Sequence, residues 1–229
     1  MDVLDKQPLD IISDVIIWND EALIDSYLAD LYDRVDFIEK RGHSGGKSVE
    51  YVTDAQSIRG VSFGMIGSMG AESRSYGGHH EPYRSATMVI TGEGVNPKLD
   101  YWRYNNIRDC NYFMDKLQNE STLDPALINQ RIAEVRFLRA YMYHQMVIRF
   151  GGVPIITQVQ TIDTPLEELY VSRNTEKEVY DFVIAEMDAI AQVLPSEYGS
   201  ADKGRPTKWA AYALKSRSAL YAAQVPEKS

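Results

Sequence analysis

The sequence predicts a mainly all-α fold of tetratricopeptide-like helical hairpins carrying a long irregular loop insertion. Three observations predict it: late stretches of apolar residues at helical spacing, an approximate internal repeat relating those stretches in pairs, and a glycine-rich interval over residues 41–97 that breaks any helical period.

The first helix opens at Asn19 or Asp20, whose side chains can accept from exposed backbone N–H groups. It continues through Ile24, Tyr27, Leu28, Leu31, Tyr32, Val35 and Ile38 as one apolar stripe. Past Lys40 the chain is rich in Gly and short polar residues, and no helix longer than a turn or two is expected before residue 98. Loops of this length inside compact domains tend to be functional or else disordered. From Tyr101 the period returns, with Tyr104, Ile107, Met114 and Leu117 on one face. A longer helix follows from Pro125 to Phe150, with apolar residues around most of its circumference, which implies neighbours on several sides. Gly151-Gly152 and Pro154 end it. The next runs from Thr175 to Val193, with Thr175 and Glu178 spaced as a capping box, and Pro195 and Gly199 close it. The last begins near Pro206 and Thr207 and carries Trp209, Ala210, Ala213, Leu214, Leu220 and Tyr221.

These four helices read as two hairpins of a degenerate repeat. A shift of 78 places sets Ala133, Val135, Arg139, Ala140 and Tyr143 over Ala211, Ala213, Arg217, Ser218 and Tyr221. A shift of 76 sets Tyr104, Ile107 and Leu117 over Tyr180, Val183 and Val193. In such a stack each hairpin buries its apolar face only against its neighbours, and two units are fewer than a stable array needs, so other segments must cap them.

Composition narrows the function classes. The 229 residues are 44% apolar and 25% charged, an ordinary globular balance. A net charge of −9 with scattered Lys and Arg argues against nucleic acid as a partner. The lone cysteine, Cys110, excludes an intrachain disulfide and reads as a small packed hydrophobe inside a helix. The first residues show neither a basic n-region nor an apolar h-region, and no apolar run is long enough to span a membrane.

Several strings together resemble the SusD/RagB family in order, spacing and wording. They are Trp102-Arg103-Tyr104-Asn105-Asn106-Ile107 with Asn111, then AEVRFLRAYMYHQMVIRFGGVPIIT, NTEKEVYDFVIAEMDAIAQVLP and GRPTKWAAYALKSRSALYAA. The opening LDKQPLDIISDVIIWNDEALIDSYLADLYDRV is similar to the stretch that follows the lipidated cysteine in those proteins. The resemblance implies a non-catalytic surface lipoprotein of the cell outer membrane that captures glycan for a SusC-like TonB-dependent transporter; RagB-type members leave peptide- or protein-binding open as the alternative. It also implies a truncated SusD-like fold: residues 1–40 as the N-terminal segment and first helix, 41–97 as the irregular region and 98–225 as two hairpins, with the family's C-terminal half, signal peptide and lipid-acceptor cysteine absent.

No catalytic constellation accompanies this. There is no P-loop, dinucleotide fingerprint, HExxH or GxSxG, and no cofactor is expected. The acids Asp25, Asp30, Asp33, Glu176, Glu178, Asp181, Glu186 and Asp188 read as solvated helix faces. His79-His80 with Glu81 lacks a third ligand at a telling distance, so no metal is expected. A sugar site wants flat aromatic rings for C–H faces and polar side chains for the hydroxyl rim, and the loop offers Arg74, Tyr76, His79, His80, Tyr83 and Arg84 as candidate ligand contacts. Glu134, Arg136 and Arg139 sit on an otherwise apolar helix and are expected to form structural ion pairs between helices. Gly204-Arg205 reads either as a turn before Pro206 or as an anion site at a helix N-terminus. Trp18, Trp102 and Trp209 are expected to pack in the core.

Overall fold

The computed structural model describes residues 14–35, 42–44, 47–49, 102–161 and 163–225. The chain divides into two compact units, residues 36–100 and the remainder. Within the first of these the described part is one antiparallel pair, β1 (Gly42–Ser44) and β2 (Lys47–Val49), in the register Gly42↔Val49.

The other unit is helical. A short α1 (Asp14–Ile17) leads into α2 (Glu21–Arg34), which Asp20 caps by accepting from the N–H groups of Ala22 and Leu23. It ends at Arg34 because Val35 turns to extended backbone, and Ile38 lies outside the described residues. The first hairpin is α3 (Tyr104–Glu120) and α4 (Pro125–Phe150), the latter capped by Asp124 with Pro125 at its first position. After an extended connector containing α5 (Leu166–Leu169), the second hairpin is α6 (Glu176–Ala191) and α7 (Lys208–Ala222). The capping box of Thr175 and Glu178 is formed in both directions. Thr207 caps α7, and the turn before it uses Gly204 at φ 106, in the left-handed region.

The long central helix is the core, as its all-round apolar pattern predicts. Val135, Leu138, Ala140, Met142, Tyr143 and Met146 of α4 are inaccessible to solvent. Full burial of side chains of the larger sizes contributes about 1.5–3 kcal/mol each. Around it pack Ile107, Cys110, Phe113 and Leu117 of α3 and Val179, Val183, Met187 and Ile190 of α6. On the side before the first hairpin, α2 supplies the cap that a two-unit stack requires: Ile24, Leu28 and Leu31 are buried. Trp18 packs edge-on against Phe113.

Two of the three tryptophans depart from expectation. Trp18 is buried, but Trp102 is 48% exposed and Trp209 is 59% exposed. Trp102 precedes α3 and leans its ring edge on Phe150. Trp209 falls in the first turn of α7 on the face away from α6, because Ala211, Leu214 and Ser218 take the inward stripe.

The link between the hairpins depends on one close approach. Gly151 ends α4 at φ 67. A Cβ on Gly152 would lie 2.0 Å from the Asn174 carbonyl oxygen, so only glycine lets the connector pass the start of α6.

Candidate functional site

Charged residues inside the helical unit form two clusters, and both join elements distant in sequence. Glu134, fully buried on α4, accepts from the Tyr32 hydroxyl at 2.8 Å, Arg131 at 3.2 Å and Arg205 at 3.0 Å. Arg131 and Arg205 both also bind Asp25, at 2.6 and 2.8 Å. Burial draws the Arg205 guanidinium down, but Glu134 and Asp25 outweigh it and hold it above its ordinary value. The Gly204-Arg205 turn therefore delivers a cation into a carboxylate cluster, and this geometry favours the turn reading over an anion site.

In the second cluster Arg136 and Arg139 converge on Glu186 of α6 at 2.7 and 3.0 Å. Arg139 also donates to Asn111 Oδ1 at 2.7 Å. Burial raises the Glu186 carboxyl, yet the two arginines win and its pKa is lowered. Asp25 and Glu186, expected on solvated faces, are thus ion-paired between helices, because each lies on the edge of its helix that meets α4.

One buried polar contact ties α4 to α7. Ser218 Oγ lies 2.9 Å from His144 Nδ1, and the imidazole is inaccessible to solvent. Burial, reinforced by Arg217 and Arg149, lowers its pKa to about 4. Since the unfolded chain protonates this residue near the ordinary histidine value of 6.5, its contribution to stability is complete above that pH and is lost as pH falls from there toward 4. Unfolding free energy is expected to drop by about 2 kcal/mol between pH 7 and pH 5 through this residue. Urea midpoints across that range test it. A His144→Gln variant should flatten the dependence, and an unchanged slope would rule the assignment out.

Open surface chemistry gathers along the connector after α4. Asn111 Nδ2 donates to the carbonyls of Ile156 and Gln158, both at 3.1 Å, while the Ile156 N–H donates to Tyr143 Oη at 2.7 Å. These bonds lay residues 155–161 along α3 and leave a groove on either side of Tyr112. One, of about 630 Å³, is lined by Tyr27, Arg108, Asp109, Tyr112, Gln160 and Thr161 among others. The other, of about 850 Å³, shares Tyr112 and adds Asp115, Asn119, Gln158 and the Arg139 edge. Burial, aided by Asp109, pushes the Tyr27 phenol up to about 12, so it keeps its proton and can donate. Tyrosine faces rimmed by amide, carboxylate and guanidinium groups suit a neutral polyhydroxylated ligand. Spacing alone did not reveal this site, because its residues come from α2, α3 and the connector.

Of the residues singled out in sequence, Glu134, Arg136 and Arg139 fall in the ion-pair clusters. Arg74, Tyr76, His79, His80, Tyr83 and Arg84 lie outside the described residues. Among the described residues no group of three His, Cys, Asp or Glu side chains is placed to hold a metal ion, and no helix is long and apolar enough to cross a membrane. Cys110 is buried, which pushes its thiol up to about 12.

The SusD-like_3 family pattern, described as starch-binding associating with outer membrane, matches residues 2–220. The chain belongs to the SusD/RagB family. A SusD-like protein of Bacteroides fragilis superposes with a TM-score of 0.64 at 31% identity, over 94% of this chain and 38% of that one. A second structure from that organism, a SusD-like carbohydrate-binding protein, gives 0.63 at 26% identity over 89% and 38%. SusD-like protein P25 of Formosa agariphila is 30% identical over 115 residues, which are 49% of this chain and 21% of that protein. This SusD-like chain therefore spans about two fifths of the solved relatives and about a fifth of that curated one.

Proposed function

We propose that this SusD-like chain belongs to a non-catalytic lipoprotein on the cell outer membrane that captures glycan and delivers it to a SusC-like TonB-dependent transporter. The observation that carries the reading is the family match over residues 2–220, whose description is starch-binding at the outer membrane. A solved carbohydrate-binding relative at 26% identity supports the same ligand class. The helical hairpins act as a rigid scaffold whose buried charges are engaged in ion pairs, Glu134 with Arg131 and Arg205 and Glu186 with Arg136 and Arg139. Ligand contacts fall on the Tyr112 grooves and, in the segment outside the described residues, on Arg74, Tyr76, His79, His80, Tyr83 and Arg84. Residues 1–40, 41–97 and 98–225 serve as first helix, recognition loop and repeat scaffold.

Isothermal titration against soluble α-glucan, β-glucan, mannan and pectin tests this. Saturable heat with one of them is expected, weakened about fivefold to tenfold by Tyr112→Ala, as loss of one aromatic face predicts. Silence with every glycan alongside saturable binding of oligopeptides would replace the proposal with peptide capture. Release of shortened products from any polymer would overturn the non-catalytic assignment.

A further inference from the structure

The imidazole of His144 stands where three helices meet. Ser218 Oγ of α7 lies 2.9 Å from its Nδ1, and the rings of Tyr180 of α6 and Tyr221 of α7 stand 6.4 and 5.9 Å away, steeply inclined to it. The other nitrogen, Nε2, is buried and has no hydrogen-bond partner among the described residues. The charges that act on the ring are both positive, Arg217 of α7 and Arg149 of α4 itself. Burial, aided by Glu176 and Tyr221, pushes the Tyr180 phenol up to about 12, so it stays neutral in mild acid.

This site accommodates a neutral imidazole and not a charged one. With one proton the ring and the Ser218 hydroxyl share a single hydrogen bond in either tautomer. A second proton puts an N–H on both nitrogens. Nδ1 can still donate to Ser218 Oγ, but Nε2–H then has no acceptor, and a buried cation faces two guanidinium groups. The imidazolium is relieved only by reaching water.

The two ends of α7 resist that opening unequally. Its start is pinned: Arg205, just before the helix, pairs with Glu134 and Asp25 at 3.0 and 2.8 Å, and the Lys208 N–H donates to the Pro195 carbonyl at 2.9 Å. Its later half is held lightly. The inward stripe ends on Ser218 after Ala211 and Leu214, so little apolar area is buried there, Tyr221 is 37% exposed, and the Lys215–Asp188 pair is open to solvent. On the other flank of α4, Glu186 binds Arg136 and Arg139, and no residue of α7 takes part in that cluster.

We propose that His144 is an acid-operated latch: when it takes up a proton, the later half of α7, Leu214 to Ala222, lifts from α4 while the start of α7 and the first hairpin stay in place. This opening is local and precedes the global unfolding that the same residue also favours.

Hydrogen–deuterium exchange of the full chain, read on fragments by mass spectrometry and corrected for the intrinsic effect of pH, tests the latch. Amides of 214–222 should exchange at least about tenfold faster than those in the middle of α4 at pH 7, which marks a separate opening. They should accelerate a further twentyfold or so, about the factor given by a histidine moving between 6.5 and about 4, when the pH falls to 5. His144→Gln can still bond Ser218 but cannot titrate, so the acceleration should vanish; His144→Phe provides the same comparison if the glutamine variant does not fold. Exchange of 214–222 at the rate of α4 would overturn the proposal, because α7 would then leave only with the whole fold. Acceleration that is absent from the native protein, or that persists in the variants, would overturn it equally.

Discussion

Replacing Glu134 with Ala is expected to lower the unfolding free energy by about 3–5 kcal/mol, the range found when one partner of a buried ion cluster is removed. Glu134 is fully buried and accepts from Tyr32, Arg131 and Arg205 together. Its loss strands two guanidinium groups and a hydroxyl away from water, and none can recover solvation without opening the packing between α2 and α4. Asp25 still faces both arginines, at 2.6 and 2.8 Å, so the effect falls toward the lower end of the range. The comparison is Asp181→Asn, which breaks the Lys177–Asp181 pair, whose side chains are 67% and 55% exposed. That pair should contribute no more than about 0.5 kcal/mol, because water and salt screen it. Urea unfolding of both variants decides the matter, with a melting shift on the order of 10 °C expected for Glu134→Ala. Equal losses for the two would mean that the buried cluster holds nothing together. The consequence reaches function as well, since α2 carries Tyr27 into the groove beside Tyr112, and loosening it removes one wall of the proposed glycan surface.

The clusters show which parts of this molecule sequence reasoning can reach. Local chemistry was legible: the Asp20 cap, the Thr175–Glu178 capping box, Pro125 at the first position of α4 and Gly151 after its end are each decided within a few residues. The apolar pattern around α4 also announced a central helix, and Glu134, Arg136 and Arg139 stood out because charge on such a helix must find partners. Their partners were not legible. Asp25, Glu186 and Arg205 look like any solvated residue on an amphipathic helix or turn, and only the packing of elements up to 180 residues apart reveals otherwise. Trp209 fails for the converse reason. Hydrophobicity and helical spacing say that a face is apolar but not that a neighbour is present to cover it. The grooves at Tyr112 are likewise set by where Asn111 and Tyr143 hold the connector, a matter of tertiary hydrogen bonds with no signature in the local sequence.

Phe113→Ala is the substitution expected to cost most within the apolar core, about 3–5 kcal/mol for a fully buried phenylalanine. Phe113 has no exposed surface, and its ring meets Trp18 at 5.6 Å and Tyr27 at 5.4 Å, both edge-on. Three terms therefore add: lost transfer energy, lost aromatic contacts, and a void between α1, α2 and α3 that rigid helices can fill only in part. Phe113→Leu keeps most of the volume and should cost less than half as much. Because Trp18 loses its packing partner, its fluorescence should shift to the red in Phe113→Ala under conditions where the protein remains folded. Trp102→Ala, at a residue 48% exposed, supplies the contrast and should cost about 1 kcal/mol or less. If denaturant titrations placed these two variants at the same midpoint, α2 would not be held by the aromatic cluster. The capping role assigned to it at the end of the hairpin stack would then rest on the burial of Ile24, Leu28 and Leu31, the Arg34–Asp109 pair and the Asp25–Arg131–Glu134–Arg205 ion pairs, the last of which the Glu134→Ala experiment measures independently.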